Sequence, residues 1–180
     1  MADEGASPRE LVLEAARRNN TDLLHDVFTD IKKSYSSTAD DRIAELLNTA
    51  VDGIGNNVLH LAATNGSYEV LDVLLDQPGV ETDPIDRLER DTPLHSAVRY
   101  VNSLSPPEWP NGHPVVEILV DAGCDPRSRN KAKLRPFDLV DPRNKDLRGI
   151  LQRAEFQMMA GADVVNEDEE DEGDGSASDD

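Results

Sequence analysis

The chain has 180 residues, a formal net charge of −19 and 37% hydrophobic content, which suits one domain of about 150 residues with an acidic extension. There is no run of about 18 apolar residues, a single cysteine rules out an intrachain disulfide framework, and residues 1–5 lack the basic and apolar regions of a signal peptide. The expectation is therefore a cytoplasmic or nuclear protein with no membrane span and no affinity for nucleic acid, drawn by its charge to basic partners.

In chain order, Ser7-Pro8-Arg9-Glu10 reads as a capping box with proline at the first helical position. It opens a helix through Leu11, Val12, Leu13, Ala15 and Ala16, and a second helix follows from Asn20 to Leu24. Residues 29–52 form an insertion. Within it Thr38 stands as a candidate N-cap and Ile43, Leu46 and Leu47 follow at helical spacing, so a short extra helix is predicted. Asn57-Val58-Leu59-His60-Leu61-Ala62-Ala63 starts the next helix. Gly66 supplies the turn at positive φ. A helix apolar on most sides (Val70, Leu71, Val73, Leu74, Leu75) must then be buried, with Gly79 as its C-cap.

Asp91-Thr92-Pro93-Leu94-His95-Ser96-Ala97 repeats the Asn57 pattern. Thr92 suits the N-cap, and Pro93 suits a first turn that needs no N–H partner. Residues 102–114 hold four prolines and predict a long irregular loop presenting Trp109, the only tryptophan. Val115, Val116, Ile118, Leu119 and Val120 make the matching second helix, and Gly123 caps it. Alternating Arg127, Arg129, Lys131, Lys133 and Arg135 suggest a hairpin, with Lys133 where a turn glycine is usual. In Arg135-Pro136-Phe137-Asp138, the aspartate replaces the histidine. A last helix, roughly residues 143–160, buries Leu147, Ile150, Leu151 and Ala154 and leaves Phe156 and Met159 off that stripe. Residues 155–180 carry eleven acids and no base, whereas residues 127–153 carry nine bases and three acids. The expectation for residues 161–180 is a disordered acidic tail.

His60 and His95 lie 35 positions apart, close to the period of about 33 that marks one kind of helical repeat. With two insertions allowed, four units fit. The chain resembles ankyrin-repeat proteins, and its lone stack with an acidic end is similar to small fungal single-domain members, one of which escorts a basic ribosomal protein. The resemblance implies an all-α ankyrin-repeat solenoid of about four helix-turn-helix repeats with hairpin loops. Residues 1–6 form a flexible N-terminus, residues 7–160 the domain (repeats about 7–51, 52–85, 86–129 and 130–160) and residues 161–180 the tail. It also implies a binding surface without chemistry of its own, and a motif histidine that bonds neighbouring loop backbone.

No catalytic, cofactor or metal site is expected. Cys124 takes the place of a buried small residue, and the four histidines have no zinc-ligand spacing. Gly53-Ile54-Gly55 lacks the Lys-Ser/Thr of a phosphate loop. The candidate partner-binding residues are Trp109, Tyr100, Asp86, Glu89, Asp91, Phe156 and Met159. Ser176, with Asp179 three residues on, is a candidate phosphorylation site. The expected partner is a basic client protein bound by a monomer in an escort or assembly role. The alternative is an adaptor or regulator that grips an enzyme with its hairpin tips and the Trp109 segment.

Overall fold

A computed structural model describes residues 5–167. The helices are α1 (Pro8–Arg18), α2 (Thr21–Tyr35), α3 (Ala39–Thr49), α4 (Val58–Thr64), α5 (Tyr68–Leu75), α6 (Pro93–Ser103), α7 (Trp109–Asp121), α8 (Pro136–Leu139) and α9 (Lys145–Glu167). They stack in two layers. The first helices pack in the order α1, α4, α6, α8, and the second helices in the order α2, α5, α7, α9. The inserted helix α3 packs against α1 and α2. No helix among the described residues is long and apolar enough to cross a membrane.

Helix ends follow from local chemistry. Ser7 and Glu10 close the expected capping box, and Thr92 accepts from the His95 amide. Gly66 (φ 64°) ends α4. The amides of Gly66 and Ser67 bond back to the carbonyls of Ala63 and Ala62, at 3.2 and 2.8 Å, as a Schellman motif requires. A side chain at Gly66 would also collide with the Tyr100 ring, so repeat contact and backbone conformation both demand glycine here. Gly123 closes α7 in the same way, through Gly123 to Val120 and Cys124 to Leu119 bonds.

One core runs the length of the stack. Val12, Leu24, Ile43, Val58, Leu71, Leu74, Leu94, Val98, Leu119, Leu147 and Leu151 are all fully buried or within 1% of it. Ala15, Ala16, Ala62, Ala63 and Ala97 are buried too, small because neighbouring first helices lie close.

Four expectations need correction. Residues 102–114 are not one loop. α6 runs to Ser103, a 3-10 turn occupies Pro106–Glu108, and α7 begins at Trp109. Pro106 and Pro110 fall in first turns, where a missing N–H costs nothing. Pro114 lies inside α7, on its exposed side, so the Pro110 carbonyl it cannot serve faces water. Thr38 precedes α3 without capping it, because its hydroxyl donates to the Tyr35 carbonyl at 3.2 Å. Gly79 has φ 78° but sits beyond the end of α5, whose C-cap is Asp76. The last helix runs to Glu167 rather than Ala160, so the first residues assigned to the tail are helical. The rest of that segment, with Ser176, lies outside the described residues.

Two stability outcomes follow. Leu74→Ala should cost about 2–5 kcal/mol by cavity formation, read by denaturant titration. Trp109→Ala should cost about 3–5 kcal/mol, because the ring is only 8% exposed and belongs to the core.

Candidate functional site

Three hairpins project between the helix pairs, and each is built on the same device. An Asx side chain accepts amides from the residues that follow it. Asp52 takes those of Ile54 and Asn56, Asp86 those of Glu89 and, at 3.4 Å, Asp91, and Asn130 those of Ala132 and Leu134. Backbone bonds close each turn: Asp52 to Asn56, Asp86 to Asp91, Asn130 to Leu134. A residue at positive φ completes each one: Gly55, Arg90 and, as the sequence suggested, Lys133. These turns fix the position of the tips to within the tolerance of two or three hydrogen bonds apiece.

The histidines couple the hairpins to the stack. His60 Nδ1 accepts the Asn57 amide at 3.2 Å, which leaves Nε2–H to donate to the Asp91 carbonyl at 2.6 Å. His95 does the same with the Thr92 amide (3.1 Å) and the Leu134 carbonyl (2.8 Å). Burial pushes both imidazoles below their ordinary pKa, so both remain neutral. In the fourth repeat Asp138 stands in the histidine's place. It accepts the Arg135 amide at 2.9 Å, but the carboxylate has no second donor to send to a neighbour.

The candidate partner residues divide. Asp91 is 3% exposed. Its carboxylate receives Asn130 Nδ2 at 2.9 Å and Arg99 Nε at 2.7 Å, so it braces two hairpins and is not a contact residue. Trp109 is not presented to solvent either. It begins α7 and closes over the stack, with the Arg143 guanidinium 5.6 Å from its ring centre. Asp86 is half-buried, its carboxylate spent on the turn. Tyr100 is half-buried between Gly66 and Gly112. Glu89 is exposed, while its carbonyl accepts the Lys131 amide at 2.7 Å and joins adjacent hairpins. Phe156 (73% exposed) and Met159 (58%) project from α9.

Sequence reasoning missed the apolar hairpin tips. Ile54, Leu88 and Leu134 are exposed on them, with Ile85 beside the second. The signal was present as isolated aliphatics in otherwise polar turns. It also missed His113 and Asn144, both buried beside Trp109. Their proximity depends on α7 reaching back to residue 109. Of the basic hairpin residues, Arg127 pairs with Asp125 and Arg135 with Asp138 and Glu155, while exposed Arg129, Lys131 and Lys133 pair with no carboxylate among the described residues.

Burial pushes the Cys124 thiol far above its ordinary range, and Sγ donates to the Thr82 carbonyl at 3.2 Å. Among the described residues no cluster of three or more His, Cys, Asp or Glu is placed to hold a metal ion.

Protonating His60 or His95 would cost the amide bond at Nδ1. The unfolded chain therefore takes up protons first as pH falls below about 6.5, and stability rises with pH through that range. Thermal midpoints should drop between about pH 7 and pH 5, and less steeply in a His60→Gln, His95→Gln double variant.

The family model for ankyrin repeats matches residues 12–130, in three copies. The ankyrin repeat-containing protein YGL242C of Saccharomyces cerevisiae is 42% identical over 174 residues, covering 94% of this chain and 91% of its own. Proteins built on these repeats are generally non-enzymatic modules for binding other proteins. With two-layer helix pairs, Asx-headed hairpins and histidine ties that match the repeat, the chain belongs to the ankyrin-repeat family.

Proposed function

We propose that this protein escorts or helps assemble a basic client protein, held by the acidic surface of its second helix layer together with its acid-rich C-terminal segment. The distribution of exposed charge supports this reading. α5 and α7 carry exposed Glu69, Asp72, Glu117 and Asp121 and no lysine or arginine. α2, packed beside α5, adds exposed Asp22, Asp26 and Asp30. A basic segment laid across α5, α7 and the first turns of α2 meets acids along its path, provided it stays clear of exposed Lys32 and Lys33 in the last turn of α2. The acids of residues 167–180 add to the same negative charge, so they would speed capture more than they would hold the docked client. The protein acts as a monomer in the cytoplasm or nucleus in this reading.

A second reading has its own observation. Exposed Ile54, Leu88 and Leu134 on the hairpin tips, with Ile85 beside them, would suit an adaptor or regulator gripping an enzyme by apolar contact. Trp109, being buried, takes no direct part in that grip.

Salt separates the two. Affinity purification with mass spectrometry should recover basic proteins at low salt and release them at about 1 M, where the Debye length falls to about 3 Å. Retention of one partner through high salt would favour the hairpin tips. Deleting residues 168–180 should slow client association while leaving the melting transition within about 1 °C, since little apolar area is lost. Phosphorylation at Ser176 would add roughly −1.5 to −2 charge to the segment. Phosphopeptide mapping of the purified native protein should find it.

A further inference from the structure

The N-terminal ends of α7 and α9 meet at a cavity of about 300 Å³. Trp109, His113 and Asn144 line it, Pro106 and Pro110 form an apolar wall, and Lys145 stands at the rim. Among the described residues, the buried side-chain nitrogens without a hydrogen-bond partner are Trp109 Nε1, His113 Nε2 and Asn144 Nδ2. All three residues line this one cavity. Their residues are 8%, 9% and 3% exposed. Buried donors without partners are rare, because each forfeits its hydration. Three such nitrogens, on residues that line one cavity, point to an acceptor held there.

We propose that this cavity binds a carboxylate of a partner polypeptide. The indole N–H and the Asn144 amide are donors, and His113 Nε2 donates in the tautomer that carries its proton there. Two helices of 13 and 23 residues add the positive ends of their dipoles. Asn144 is already oriented, since its Oδ1 accepts the Leu147 amide at 3.1 Å and turns Nδ2 away from the helix. The rim holds little net charge. Asp141 pairs with Arg143 at 2.8 Å, and Lys145 and Asp146 both line the cavity with opposite charges. That balance favours a singly charged planar carboxylate over a doubly charged phosphate. The chain's own acidic end is a poor occupant. α9 carries it about 34 Å from the cavity, so the 13 residues after Glu167, which span about 43–47 Å at full extension, would return only by giving up most of their conformational freedom. The carboxylate comes from another molecule, as a side chain or a C-terminus.

Trp109 is the only tryptophan, so its emission in the full chain reports on this cavity. Two probes separate the sources: tetraglutamate with an amidated C-terminus, and tetra-alanine with a free one. At least one should shift the emission saturably, while tetraglutamine amide should not. Asn144→Asp keeps the cap acceptor but replaces the donor with a negative charge. It should weaken binding at least tenfold with the thermal midpoint held or raised. Lys145→Glu, at an exposed position, should weaken binding in the same direction in a chain certain to fold. No shift with either carboxylate probe would overturn the proposal. So would equal binding by Asn144→Asp, an equal response to tetraglutamine amide, or tighter binding of inorganic phosphate than of either carboxylate.

Discussion

The hydrogen bond from the His60 imidazole to the Asp91 carbonyl crosses from one repeat to the next, and the bond from His95 to the Leu134 carbonyl crosses again. An ankyrin unit cannot bury both of its faces alone, so its hairpin is only as well placed as the neighbour it leans on. Each imidazole satisfies its own helix cap through one nitrogen and the next hairpin through the other. Both bonds need the neutral ring, and burial supplies it. The carbonyls that accept these bonds belong to the closing residues of the Asx turns. Turn, cap and stack are thereby held to one register, and the apolar tips at Ile54, Leu88 and Leu134 take their spacing from it.

What the sequence showed plainly was local. Ser7 with Glu10, Thr92 with Pro93 and His95, Gly66 and Lys133 each act within four or five residues, and each does what its position suggested. What stayed hidden depends on distant partners. By sequence, Asp91 stands among the candidate partner-binding residues. Asn130, 39 residues on, makes it a buried brace. Trp109 looked free because its loop was read as irregular. Four prolines in 13 residues suggest that, but a proline's cost depends on its place in a helix. Two of them sit in first turns and a third faces water, so α7 extends back two turns and brings Trp109 and His113 onto one face. Arg143 and Asn144, more than 30 residues later, then close over them.

The two ends of the charge distribution suit different partners. The second layer is acidic along α5 and α7, while Arg129, Lys131 and Lys133 leave the third hairpin basic. A basic segment crossing the helices would therefore be turned away at that hairpin, which sets a limit on where it lies. The fourth repeat departs furthest from the pattern. With Asp138 in place of the histidine, no bond passes onward from it, as befits the last unit of a stack. The last helix, α9, overruns the repeat with Phe156 and Met159 exposed.

The insertion between α6 and α7 ties these features together. Residues added there could have formed a mobile excursion at little cost to the stack. Instead they lengthen α6 to Ser103 and start α7 at Trp109, which raises an indole to meet the N-terminal cap of α9. Burying Trp109 contributes apolar contact, and filling the site with Leu or Phe would have contributed it without leaving an N–H unbonded. The same holds for His113, whose place in the core an aliphatic residue could take. Packing alone therefore accounts for the bulk of these side chains but not for their nitrogens. That three such nitrogens sit on residues lining one cavity, at two helix N-termini, is what gives the extended repeat a use beyond lengthening the stack.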